Sequence, residues 1–127
     1  MACTITATEK APAAIGPYSQ AVSTGGFVFV SGQLGIDPQT GDLAPPDFEL
    51  QARQALENVK QIVLAADCRM NQVVSVDIYL SNISNLKKFN ELYEEYFEDP
   101  LPARAVVEVS CLPKNAVVEI KCIICKQ

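Results

Sequence analysis

The chain has 127 residues, 49% of them hydrophobic and 20% charged, with 10 Lys plus Arg against 15 Asp plus Glu and no histidine. This describes one domain over residues 1–127, long enough to bury a core without disulfide or metal staples. The missing histidine excludes Ser-His-Asp and Cys-His catalysis and histidine-ligated zinc, and a formal charge of −5 argues against a nucleic-acid footprint, which needs a basic face.

The opening stretch MACTITATEK lacks the basic start and apolar run of a secretory signal. No apolar stretch approaches the ~20 residues of a membrane helix, so the expected location is cytoplasmic. Residues 19–24 and 27–33 read as two strands joined at Gly25-Gly26, a hairpin signal. Residues 35–46, rich in Gly, Pro, Asp and Thr, read as a loop. Asp47 is the expected N-cap of a helix that carries Ala52, Ala55, Leu56, Val59, Ile62, Val63 and Ala66 on one stripe. Residues 73–80 are the next strand. Ser84 is expected to cap a second helix with Leu86, Phe89, Tyr93, Tyr96 and Phe97 inward, ended by Pro100 and Pro102. Residues 103–109 and 116–125 are two final strands around the turn SCLPKN.

The order is therefore β-β-α-β-α-β-β, an α+β domain with both helices on one sheet face. Alternation assigns Val74, Val76, Ile78 and Leu80, then Ala105, Val107 and Val109, then Val118, Ile120, Cys122 and Ile124 to the helix side. The other face carries Arg104, Val106, Glu108, Glu119 and Lys121 among others. It is half-apolar and uncovered, so layer logic asks for other copies of the chain to cover it. If the last two strands form a hairpin, Arg104 lies opposite Lys121 with Glu119 diagonal to it, all on the uncovered face. An arginine fork suits a planar carboxylate, and a glutamate beside it could hold a water or move a proton.

Other candidates carry less. The five cysteines, an odd number, read as reduced thiols. Cys122 and Cys125 are three apart on a strand and point to opposite faces, so they share no metal. Ser31 in VSGQ has no histidine to activate it. Gly32 and Gly35 form no nucleotide-binding motif, yet glycines let backbone N–H groups approach a ligand. Tyr18, after Gly16-Pro17, sits at a turn from which its hydroxyl could reach a pocket, and Asn90 is mid-helix, where asparagine is mildly unfavourable.

The segments APAAIGPYSQAV, FVFVSGQLGID, QALENVKQIVLAA, FNELYEEYF and PARAVVEVSCLPKNAVVEI occur in this order along the chain. Together they closely resemble the Rid family, also called the YjgF or reactive-intermediate deaminase family, from about Glu9 to the C-terminus. The resemblance implies a chorismate-mutase-like fold assembled as a homotrimer, a central barrel of three sheets with active sites in clefts between subunits. It implies cofactor-independent hydrolysis of reactive enamines and imines, such as 2-aminoacrylate, to 2-keto acids and ammonia, downstream of pyridoxal-phosphate dehydratases. Carried over position by position, Arg104 is the substrate-carboxylate arginine and Glu119 the glutamate that orients the attacking water. Tyr18 lines the cleft with Asn90 near it, Ser31 and Gly32 give backbone contacts, and Val106 faces the ligand through its backbone. Many relatives have cysteine at the Val106 position, so thiol-based behaviour is not expected here. Two rival functions remain open: an endoribonuclease on single-stranded RNA, also attached to the family, and a non-enzymatic carboxylate-binding or holdase-like module.

Overall fold

The computed structural model describes residues 3–126. Gly25 and Gly26 have φ of 58° and 83°, the left-handed backbone of a two-residue hairpin turn. They join β2 (Ala21–Thr24) to β3 (Phe27–Leu34) in antiparallel register. A strand that the sequence did not suggest, β1 (Thr4–Thr6), pairs with β2 at the sheet edge. Three residues are too few to display a two-residue period.

Helix α1 (Phe48–Ala65) starts as expected: Asp47 accepts a hydrogen bond from the Leu50 backbone N–H at 3.0 Å. Its whole apolar stripe, from Ala52 to Ala66, is buried. Strand β4 spans Val73–Leu80. The second helix begins differently from the sequence expectation. Asn82, not Ser84, is the capping side chain: its Oδ1 accepts from the Ser84 backbone N–H (2.9 Å) and hydroxyl (2.7 Å). This closes a one-turn 3₁₀ helix, Ile83–Asn85, that feeds α2 (Leu86–Tyr93). Ser84 is spent on Asn82, because a hydroxyl two residues along is within its reach. Phe89, Tyr93 and Phe97 are buried against the core as the spacing predicts.

The C-terminal hairpin does not form. Strand β5 (Ala103–Glu108) pairs in parallel with β4, and β6 (Val118–Cys125) inserts antiparallel between β3 and β4. The sheet has six strands in the order β1-β2-β3-β6-β4-β5. A helix between two strands returns the chain parallel to its start, so β4-α2-β5 is a crossover unit. The nine-residue-scale connection to β6 then passes over β4 rather than turning tightly. Arg104 accordingly lies beside Val76 and Val106 beside Ile78, not opposite Lys121. In-register neighbours share a face, so Arg104 and Val106 point to the helix side, while Ala105 and Val107 point away. This inverts the face predicted for β5. Val74 is corrected too: a register shift between Val73 and Ser75 buries Val73 and turns Val74 out.

The face away from the helices carries an apolar row, Ile5–Val22–Phe29–Ile123, running across four strands. Ile5 is 65% exposed and Phe29 45% exposed within one chain. Cys122 is buried on the helix side and Cys125 half-exposed on the other, and neither forms a disulfide.

One buried polar residue ties α1 to the loop after β3. Asn58, fully buried, donates to the carbonyls of Leu34 (3.0 Å) and Ile36 (2.9 Å) and accepts from Gln54 Nε2 at 2.8 Å. Gly35 lies between these anchors; a Cβ there would stand 2.8 Å from Gln51 Cα, so the loop can lie flat on the helix only with glycine. Replacing Asn58 by leucine leaves two carbonyls without donors. Asn58→Leu should lower the unfolding free energy by about 1–3 kcal/mol, measured by chemical denaturation.

Candidate active site

Glu119 stands on β6 between Leu34 of β3 and Tyr79 of β4, on the face away from the helices. Beside it, β3 carries one extra residue. The pairs Val30–Cys122 and Gln33–Ile120 leave Ser31 and Gly32 outside the regular ladder. Such a bulge bends a strand and takes its residues out of the β6 ladder. A Cβ on Gly32 would come within 2.9 Å of the Glu119 Cδ, so only glycine lets the carboxylate lie against the strand. Burial pushes the Glu119 carboxyl above the ordinary glutamate range, and Lys121, the next residue on that face, draws it partly back.

The wall opposite is held by polar anchors. Ser31 donates through its backbone N–H to the Gln20 carbonyl (2.9 Å) and through its hydroxyl to the Ser19 carbonyl (2.5 Å). Its side chain therefore fixes the segment after Tyr18 and is not a free nucleophile. Gln20 is buried; its side chain accepts from Thr8 N–H at 2.7 Å and donates to the Pro12 carbonyl at 2.7 Å. The strap formed by residues 8–20 is thereby pinned, with Tyr18 on its lip, 53% exposed.

These elements enclose a pocket of about 620 Å³ that brings together Tyr18, Ser31, Gly32 and Glu119. That is within the usual range for a small-molecule site. Ile15, Leu34 and Ile36 supply apolar wall. Lys114 also lines it, a residue that sequence reasoning did not single out. Lys114 and Asn115 have φ of 60° and 57° in succession. Left-handed backbone is unusual for lysine and is held by its surroundings. Gln51 and Asn58 were also missed: Gln51 accepts from Val117 N–H at 3.1 Å, and both brace this pocket from the helix side. Their only sequence signal is a polar residue close to an apolar stripe.

Asn90, Arg104 and Val106 lie elsewhere. Arg104 is exposed on the edge strand β5, its Cζ 4.8 Å from the centre of the Tyr93 ring. Asn90 is one turn before Tyr93 on the same face of α2. The Asn90 Oδ1 and the Tyr93 hydroxyl are buried without a hydrogen-bond partner. Arg104 and Glu119 are two strands apart, about 10 Å of backbone spacing, and on opposite faces of the sheet. One chain thus holds the Glu119 carboxylate beside a pocket and the Arg104 guanidinium on an open edge. Among the described residues no cluster of His, Cys, Asp and Glu could hold a metal.

Comparison with known proteins places the chain among proteins of this shape. The family model described as Endoribonuclease L-PSP matches residues 8–126. A mouse protein named 2-iminobutanoate/2-iminopropanoate deaminase is 45% identical over 109 residues, 86% of this chain and 81% of that one. The crystal structure of RidA from an Antarctic Psychrobacter has a TM-score of 0.93 at 45% identity, covering 96% of this chain and 98% of its own. Escherichia coli TdcF with bound serine has a TM-score of 0.91 at 39% identity, covering 98% and 99%.

Because burial raises the Glu119 carboxyl and Lys121 opposes that rise, the Lys121→Ala variant should titrate Glu119 at a higher pH than the parent protein does. A carboxyl-carbon NMR titration checks this; an unchanged or lower midpoint would show that Lys121 does not face the carboxylate.

Proposed function

This chain belongs to the Rid family, the group matched as Endoribonuclease L-PSP, and we propose that it is a cofactor-independent imine deaminase. Its substrates are small 2-imino acids and their enamine tautomers, such as 2-aminoacrylate, 2-iminopropanoate and 2-iminobutanoate. Its products are the 2-keto acid and ammonia. The supply of such compounds falls to dehydratases that use pyridoxal phosphate, in the cytoplasm. The mouse relative's name and the amino acid bound to TdcF support a small ligand of this class.

The chemistry asks little of the protein. An imine carbon is already electrophilic. Glu119 holds a water against it and takes the water's proton as the oxygen bonds to carbon; the C=N electron pair moves to nitrogen, which gains a proton. The carbinolamine nitrogen then takes a second proton, from the Glu119 carboxyl; the C–N bond breaks with its electron pair leaving on ammonia, and the hydroxyl proton passes to bound water as the C=O bond forms. A carboxyl raised by burial is a better base at neutral pH than an ordinary glutamate, and a positioned base contributes roughly 10²–10⁴-fold. Arg104 anchors the substrate carboxylate through its paired donors. Backbone groups at Gly32 and Val106 face the ligand; Ser31, whose N–H and carbonyl are taken by Gln20 and Gln33, holds Gly32 in place, and Tyr18 and Asn90 line the cleft.

The observation that carries this proposal is the separation of Arg104 from Glu119. A three-carbon or four-carbon acid cannot span two strands and the thickness of a sheet. Arg104 of one copy and Glu119 of another can meet if the apolar row Ile5–Val22–Phe29–Ile123 packs between chains. That geometry asks for a second copy of the chain, and the family resemblance implies that the working unit is a homotrimer with its sites between subunits. The unpartnered Asn90 Oδ1 and Tyr93 hydroxyl fit a surface completed from outside the chain, since a buried polar atom without a partner costs about 1–3 kcal/mol.

RNA cleavage, the activity in the family's description, finds less support: the charge is −5 and there is no histidine to move protons. Native mass spectrometry should give three copies of the 13.8 kDa chain, and Phe29→Asp should abolish that assembly and imine hydrolysis together. A monomeric parent protein would refute the shared site. Arg104→Ala and Glu119→Gln should each lose at least 10²-fold in keto-acid release from a dehydratase-coupled assay. Unfolding the two variants together and refolding them should restore activity, because about a quarter of the sites in random trimers pair an intact arginine with an intact glutamate. No recovery in verified mixed trimers would place both groups in one chain.

A further inference from the structure

Arg104 has an unusual setting for a residue that must hold a ligand. It sits on an edge strand, exposed, with a long side chain, and none of the ion pairs among the described residues includes it. The nearest carboxylate on its strand, Glu108, accepts from the Ile83 backbone N–H at 2.8 Å. What meets the guanidinium is an aromatic face. Its Cζ lies over the Tyr93 ring, 4.8 Å from the centroid, well inside cation–π range.

The Tyr93 ring is itself immobilised. Phe97 stacks on it at 4.4 Å with the planes 24° apart, and Phe89 packs on it at 5.8 Å. Phe48 of α1 closes the series, 6.5 Å from Phe89. Tyr93 is only 6% exposed. Its hydroxyl has no partner among the described residues, so within the chain the ring, not the hydroxyl, is what Tyr93 presents.

We infer that Tyr93 is a positioning residue for Arg104: its clamped ring is a platform on which the guanidinium lies, with the in-plane N–H donors left free for a carboxylate. A planar cation on an aromatic face keeps its donor fork pointing past the ring's edge, which is the geometry a bidentate carboxylate needs. The sheet register supplies the alignment. Cys122, Val76 and Arg104 form one row on the helix side, and α2 lays Tyr93 over it. Burial pushes the Tyr93 phenol up to about 12, with Arg104 opposing the rise and Cys122 adding to it. This role rests on the assignment of Arg104 as the carboxylate anchor.

The test separates ring from hydroxyl and platform from catalysis. In the assembled protein, side-chain nitrogen–proton NMR of Arg104 should show an Nε–H resonance displaced by the ring. Tyr93→Phe should keep that displacement and Tyr93→Leu should remove it. Calorimetry with 2-ketobutyrate should give about tenfold weaker binding for Tyr93→Leu and a change within about twofold for Tyr93→Phe. In an Arg104→Ala background, Tyr93→Leu should change affinity no further. If Tyr93→Leu fails to assemble, Tyr93→Met, closer in length and also ringless, takes its place in each comparison. An Arg104 resonance unmoved by loss of the ring, or the same fold loss with and without the arginine, overturns the positioning role. A parent protein that shows the displaced resonance yet neither binds 2-ketobutyrate nor speeds imine decay refutes the proposed function instead and leaves the platform standing.

Discussion

Both helices pack on one face of the sheet, and the positions of the functional groups follow from that arrangement. The buried stripe of α1 and the aromatic series of α2 consume the apolar side chains of β3, β4 and β6 that point toward them. The opposite face keeps an apolar row, with Ile5 and Phe29 exposed among the described residues. Glu119 belongs to that uncovered face, and Arg104 to the helix side of the far edge. A sheet is too thick for one small acid to touch both. The proposed assembly would answer both the uncovered face and the separation of these two groups with a second copy of the chain.

The acid half-site is pre-formed by polar anchors. Asn58 fixes the carbonyls of Leu34 and Ile36, Gln20 fixes the strap of residues 8–20, and Ser31 ties that strap to β3. Each anchor satisfies backbone groups that would otherwise be buried without partners. Pocket shape and core stability thus depend on the same few hydrogen bonds. The glycine at 32 does the complementary work, leaving room for the Glu119 carboxylate in a partly desolvated place. The proposed imine hydrolysis would need little more than this and would not need a histidine, which the chain lacks.

Much of the fold was legible because local physics specified it. Two adjacent glycines required a left-handed turn, Asp47 after Pro45-Pro46 capped a helix, and the α1 stripe had a clear helical period. The pocket residues Tyr18, Ser31, Gly32 and Glu119 were legible through family resemblance, and they do meet. The error lay in β5. Alternation along Ala103–Glu108 is nearly uniform in apolar character apart from Arg104 and Glu108, so it could not report which side faced the helices. A hairpin was the shortest connection, and the crossover through α2 won because a helical link returns a strand in parallel. A two-residue period also hid the bulges at Ser31–Gly32 and at Val74, since each inserts a residue that inverts the faces beyond it.

By itself, the sequence determined the helix stripe, the β2–β3 hairpin turn and the absence of any histidine. Those depend on neighbours a few positions apart. Only the tertiary structure decided that β6 enters between β3 and β4, that Arg104 lies on the Tyr93 ring, and that Arg104 and Glu119 stand on opposite faces. Strand order and side-chain facing are set by which distant segments exclude water together, and that information is spread over the whole chain rather than written at any one position.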